Sequence, residues 1–121
     1  MKLNFLEFDS SEDAQGHGSF DAMASAAPAQ LAALREEVQR VLGWAHRQFP
    51  GRRGALDEGG DWDYELQGVQ EVATTLAADY DPDAGHLRLE PSATGAPRIT
   101  LSLTLTGTPQ FCDALRAEFG L

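Results

Sequence analysis

The feature that most constrains this chain is a strict two-residue alternation near its C-terminus. Ile99, Leu101, Leu103 and Leu105 alternate with Thr100, Ser102 and Thr104. Successive side chains of an extended backbone point to opposite faces, so 98–106 reads as a strand with one apolar and one hydroxyl-bearing face. The apolar face of such a strand has to be covered by a second layer. The remaining sequence must therefore supply both neighbouring strands and a cover.

Two segments offer the cover. Leu31, Leu34, Val38, Val41, Leu42, Ala45 and Phe49 recur at helical spacing and predict a helix over 28–49. Pro28 suits its first turn, where no amide partner is lost, and Pro50-Gly51 ends it. Glu36 and Arg40 form a favourable i,i+4 pair on the outer side. Arg47, Arg52 and Arg53 gather at the negative end of the helix dipole. Trp44 falls on the flank of the stripe. A shorter helix follows the 98–106 strand, with Thr108 as N-cap and Pro109 at the first position. Its apolar side is Phe111, Leu115 and Phe119, and Gly120 stops it.

The neighbouring strands are less regular. Residues 2–8, with Leu3, Phe5, Leu6 and Phe8, and residues 19–24, with Phe20, Ala22 and Ala24, read as an antiparallel hairpin joined by the polar loop from Ser10 to Gly18. Strict alternation in 2–8 sends Leu6 and Phe8 to the side opposite Leu3 and Phe5, unless a bulge intervenes. Trp62, Tyr64 and Leu66 alternate with Asp63 and Glu65, and Gly68 is expected to bend that strand. The run from Asp81 to His86 is turn chemistry. With Pro82 to Gly85 in the loop, Tyr80 faces Leu87, Ala78 faces Leu89, and Asp79 faces Arg88 on the other side. Pro91 to Pro97 is a further turn-rich loop. The order is ββαββββα in one domain spanning 1–121. The expected fold is an α+β two-layer sandwich, a mainly antiparallel sheet of five to six strands with both helices on one face.

Composition narrows the function classes. The formal charge of −10 opposes non-specific association with nucleic acid or anionic lipid and favours basic partners. Cys112 is the only cysteine, so no internal disulfide forms. Glu7 and Asp9 interrupt the first apolar run before a signal-peptide core develops, and no stretch reaches membrane-spanning length. Together these predict a cytoplasmic protein. Lys2 is the sole lysine beside many arginines, a composition with the look of a small bacterial protein and no functional content of its own.

Three constellations bear on chemistry. Asp79, Asp81, Asp83 and Glu90 have the spacing of positions 1, 3, 5 and 12 of a calcium loop. The glycine needed at position 6 is Ala84, Pro82 sits at position 4, and strands rather than helices flank the segment. A hairpin turn with solvated acids is the simpler reading of 79–90, with metal binding as the alternative. Asp63 and Glu65 could form an acid–base pair, but on one strand face nothing desolvates them. Cys112 has no histidine placed beside it by sequence, since His17, His46 and His86 are scattered. No cofactor signature is present. A third constellation is a surface. Trp44, Leu6 and Phe8, rimmed by Asp63 and Glu65, would suit a docking face for a basic protein or for a second copy in a homodimer. The leading expectation is a non-catalytic interaction module. The alternative is a small enzyme or ligand-binding domain with its site between helix and sheet.

Overall fold

A computed structural model describes residues 2–121. Strands β1 (Asp9–Glu12), β2 (Gly18–Ala26), β3 (Trp62–Glu71) and β6 (Arg98–Gly107) form a four-stranded antiparallel sheet in the order β1-β2-β6-β3. Strands β4 (Thr74–Asp81) and β5 (His86–Thr94) form a separate two-stranded antiparallel ribbon. Helices α1 (Leu31–Gln48) and α2 (Pro109–Phe119) complete the order ββαββββα. The fold is α+β, as the periodicities predict, with its six strands divided between two sheets.

Register explains the core. β6 is central, with Phe20, Ala22, Ala24 and Ala26 of β2 opposite Leu105, Leu103, Leu101 and Ile99. On the other side, Tyr64 and Leu66 of β3 oppose Leu105 and Leu103. Opposed residues share a face, so these side chains build one apolar surface. Leu34, Val38, Val41, Trp44 and Ala45 of α1 and Phe111, Cys112, Leu115 and Phe119 of α2 are buried with it in one cluster. Both helices therefore lie on the same side. The alanines of β2 are small because α1 lies close above them, while Trp62 stacks on Phe111, with ring centroids 5.6 Å apart.

Helix α2 rests on a floor of glycines. Gly18 and Gly107 oppose each other across β2 and β6. A Cβ on Gly107 would collide with the Phe111 ring, and one on Gly18 with the Cys112 sulfur. The first turn of α2 can descend onto the sheet only because both positions lack a side chain. Thr108 caps this helix by accepting from the Phe111 N–H, and Gly120 closes it at φ 68°. Among the described residues, no helix is long and apolar enough to cross a membrane.

Three local expectations are corrected, the first being the loop expected at Pro91 to Pro97: its residues through Thr94 belong to β5 and lie along β4 residues Thr74 to Leu76. Residues 2–8 are not a strand; the first strand is β1, at Asp9–Glu12. The reason is Glu37. Its carboxylate accepts the backbone N–H groups of Asn4 (2.9 Å), Phe5 (2.9 Å) and Leu6 (2.7 Å). Those amides are satisfied by a helix side chain, not by a strand ladder, and the segment bends around the buried carboxylate. Gly68 does not bend β3 either, because pairing with β6 continues unbroken to Glu71 and Arg98. Gly68 faces Leu101, whose side chain uses the space that a Cβ would contest.

Candidate protein-docking site

The ribbon β4–β5 grows directly out of β3 and β6. Glu71 opposite Arg98 is the last pair of the four-stranded sheet. The Gly95 N–H then donates to the Ala73 carbonyl at 2.8 Å, and pairing resumes at Thr74 opposite Thr94. The result is a long two-strand arm that leaves the sheet where the helices end. No residue between Trp62 and Leu103 is buried. Among the described residues, seven of the nine large exposed apolar side chains are in this segment: Leu66, Val69, Val72, Leu76, Tyr80, Leu87 and Leu89.

The arm has two chemically distinct faces. Tyr80 opposes Leu87, Ala78 opposes Leu89, and Leu76 opposes Pro91, so these six share one face. Asp79 opposes Arg88, Ala77 opposes Glu90, and Asp81 opposes His86 on the other. The register is the one the turn chemistry of 81–86 predicts. A bulge between Thr75 and Leu76 accommodates Ser92, whose hydroxyl donates to the Thr75 carbonyl at 3.0 Å. Leu76, Tyr80, Leu87 and Leu89 are each between 52% and 60% exposed, values that leave half of every side chain in water. A patch of this kind is uncommon on a protein that acts alone. Moreover, a two-stranded ribbon with nothing on its apolar face is marginally stable in water.

The surface expected around Trp44, Leu6 and Phe8 is not there. Trp44 is buried, its ring meeting Phe49, Phe111 and Phe119 at centroid distances of 6.3, 6.0 and 5.5 Å. The α1 stripe is rotated toward Glu37 and Trp44, which lie two helical turns apart on one flank. Leu6 is also buried, drawn inward by the Glu37 clasp, and Phe8 is half-buried edge-on to Phe20. None of the three is free to form a docking face. Asp63 and Glu65 lie on the sheet face away from the helices. Asp63 is held by the Arg53 guanidinium at 2.9 Å, while Glu65 is exposed and does not join it in a desolvated pair.

The other candidates resolve into structural roles. Asp81 accepts from the N–H groups of Asp83 (3.0 Å) and Ala84 (3.3 Å), shaping the turn that Gly85 completes at φ 63°. Asp79 leans toward Arg88 at 3.9 Å, and Glu90 is several residue pairs from the tip. The four acids do not converge, and among the described residues no group of three or more His, Cys, Asp or Glu side chains could hold a metal ion. Cys112 is buried with its thiol donating to the Gly107 carbonyl at 3.5 Å, and burial pushes that thiol's pKa up. His46 lies edge-on to Trp62 and His17 pairs with Asp13. The Arg52 guanidinium grips Asp61 at 2.8 Å and holds its carboxyl below the usual range. It also donates to the Gly59 carbonyl, which pins the 51–60 loop beside β3.

Hollows in the surface are open and lie away from the helix–sheet interface. One of about 410 Å³ is lined by Glu7, Asp9, Asp21, Met23, Ser102 and Thr104 on the open sheet face. Another of about 350 Å³ lies among Glu12, Asp13, His17 and Leu56. The buried core cluster lies between helices and sheet. Compared with known protein families, curated proteins and solved structures, the chain matches none of them.

Proposed function

We propose that this chain is a non-catalytic protein-interaction module of the cytoplasm whose docking element is the β4–β5 arm. The observation that carries the reading is the uncharged apolar face of Leu76, Ala78, Tyr80, Leu87, Leu89 and Pro91, held clear of the core. The helix-covered half of the sheet supplies the stability, and the arm supplies surface. Covering that face removes apolar area from water and stabilises a ribbon that has little else to hold it. The charge of −10 works against nucleic acid or anionic membrane as the cover and leaves protein as the fitting class.

A photo-crosslinking side chain introduced at position 87, and separately at position 40 on the solvent side of α1, tests this in cells. Position 87 is expected to give protein adducts well above those from position 40. Equal, sparse adducts from both positions would contradict the module reading.

A further inference from the structure

We infer that the cover on the arm is the same face of a second copy, so that the protein is a two-fold dimer through β4–β5. This rests on the arm being a docking element and goes on to name its occupant. Charge is compatible with that occupant. Each copy carries −10, and with exposed charges screened beyond about 8 Å at physiological ionic strength, two copies meet most easily on a face that itself carries no charge. The face of Leu76, Ala78, Tyr80, Leu87, Leu89 and Pro91 is such a place, because Asp79, Asp81, Arg88 and Glu90 are on the reverse or at the turn. A site built for a basic protein would instead set carboxylates on the face that docks.

Shape agrees with charge. With the two-fold axis in the plane of contact and running across the strands, the tip of one arm lies over the base of the other and each off-axis contact occurs twice. Tyr80 then meets Leu76 of the partner copy, an aromatic ring over an apolar neighbour, and Leu87 meets Pro91. Leu89 meets its own counterpart at the axis. A ribbon of eight residues measures about 26 Å by about 10 Å. Half-exposed side chains over that footprint carry on the order of 500 Å² of apolar surface per copy. Two such faces together bury about 1,000 Å², the lower bound for a specific interface. The dimer is therefore expected to form in the micromolar range and not as an obligate assembly.

Sedimentation of the purified full chain from about 1 μM to about 500 μM tests the inference. The expected result is a mass rising from 13.1 kDa toward twice that value. Leu89→Asp places a charge on the apolar face and is expected to weaken the dimer at least tenfold. Glu90→Gln, on the reverse face, leaves it unchanged. Tryptophan emission reports the helix–sheet core through Trp44 and Trp62 and is expected to match in all three proteins, which separates lost association from lost folding. A mass that stays at 13.1 kDa throughout, or a dimer indifferent to Leu89→Asp, overturns the inference. The cell crosslink at position 87 then separates the two levels. Adducts to a different protein sink the dimer alone, and absent adducts with a monomeric chain sink the module reading as well.

Discussion

Strand β6 and the β4–β5 arm carry the same kind of pattern and meet different fates. In β6, Leu103 and Leu105 are 0% exposed, because α1, α2 and the indole of Trp62 close over them. In the arm, Leu87 and Leu89 alternate with Arg88 and Glu90 just as regularly, yet each is more than half exposed. Alternation therefore specifies that a ribbon has two unlike faces. What covers the apolar one is decided by how far the rest of the chain can reach. Here the helices cover the base of the sheet and stop.

The contrast can be broken most forcefully at Trp62. Trp62→Ala removes a fully buried ring stacked between Phe111 and Tyr64 and is expected to cost about 3–5 kcal/mol of unfolding free energy. Leu89→Ala, measured at a dilution where the chain is monomeric, is expected to change it by less than about 0.5 kcal/mol. Similar costs in urea titrations would mean that the arm is packed as the core is.

Glu37 sharpens the same comparison among polar residues. Glu37→Gln replaces a charged acceptor of three backbone N–H groups, in a position 3% exposed, and is expected to cost about 2–3 kcal/mol. The amides of Asn4, Phe5 and Leu6 should lose hydrogen-exchange protection together. Glu90→Gln on the arm should leave stability within experimental error. If those three amides keep their protection in Glu37→Gln, the clasp is not what bends the N-terminal segment.

A smaller effect comes from Cys112, where burial raises the thiol pKa. The folded protein then holds this proton more tightly than the unfolded chain does. The resulting stability is complete below the unfolded thiol pKa, about 8.5, and is lost as pH rises through the folded value. The urea midpoint should fall with rising pH above that point, and less so in Cys112→Ser. A midpoint that rises with pH, or that falls equally in the variant, would contradict the assignment.

The smallest effect is expected at the exposed Arg52–Asp61 pair. Hydrogen bonding to Arg52 lowers the Asp61 pKa, so its contribution is present above the unfolded carboxylate value, about 3.9, and is lost as pH falls through the folded one. An NMR titration should place the Asp61 midpoint below that of an ordinary aspartate. Arg52→Gln should return it upward, and a midpoint already at the ordinary value would remove the clamp from the account.

Much of this architecture is written in local chemistry. The alternation of 98–106, the Thr108-Pro109 start and the Asp81–Gly85 turn each fix an element, and the turn also fixes which side chains of the arm share a face. The apolar face of the arm was thus legible, but its exposure was not, because a register says nothing about a cover. A geometric signal existed. The longer helix, 18 residues, is about 27 Å long, whereas the 10 and 8 strand residues of β3 and β4 together run about 60 Å, so the far end of the ribbon is left bare. The placement of Trp44 failed for a different reason. Glu37 looks like a solvent residue, so the flank it shares with Trp44 reads as polar, and only the three-dimensional path of residues 4–6 reveals why a carboxylate belongs inside. The same unseen bond turned Leu6 inward and displaced the first strand to Asp9.

The most direct test of the divided sheet is hydrogen exchange, residue by residue, at low and high protein concentration. Amides of β2 and β6 near the helices should exchange equally slowly at both. Those between Leu76 and Tyr80 and between Leu87 and Pro91 should exchange freely when the chain is dilute and slow at least tenfold when it is concentrated. Arm amides that are as protected as β6 at every dilution, or unprotected at every concentration, would contradict the claim that a second copy completes what the helices leave uncovered.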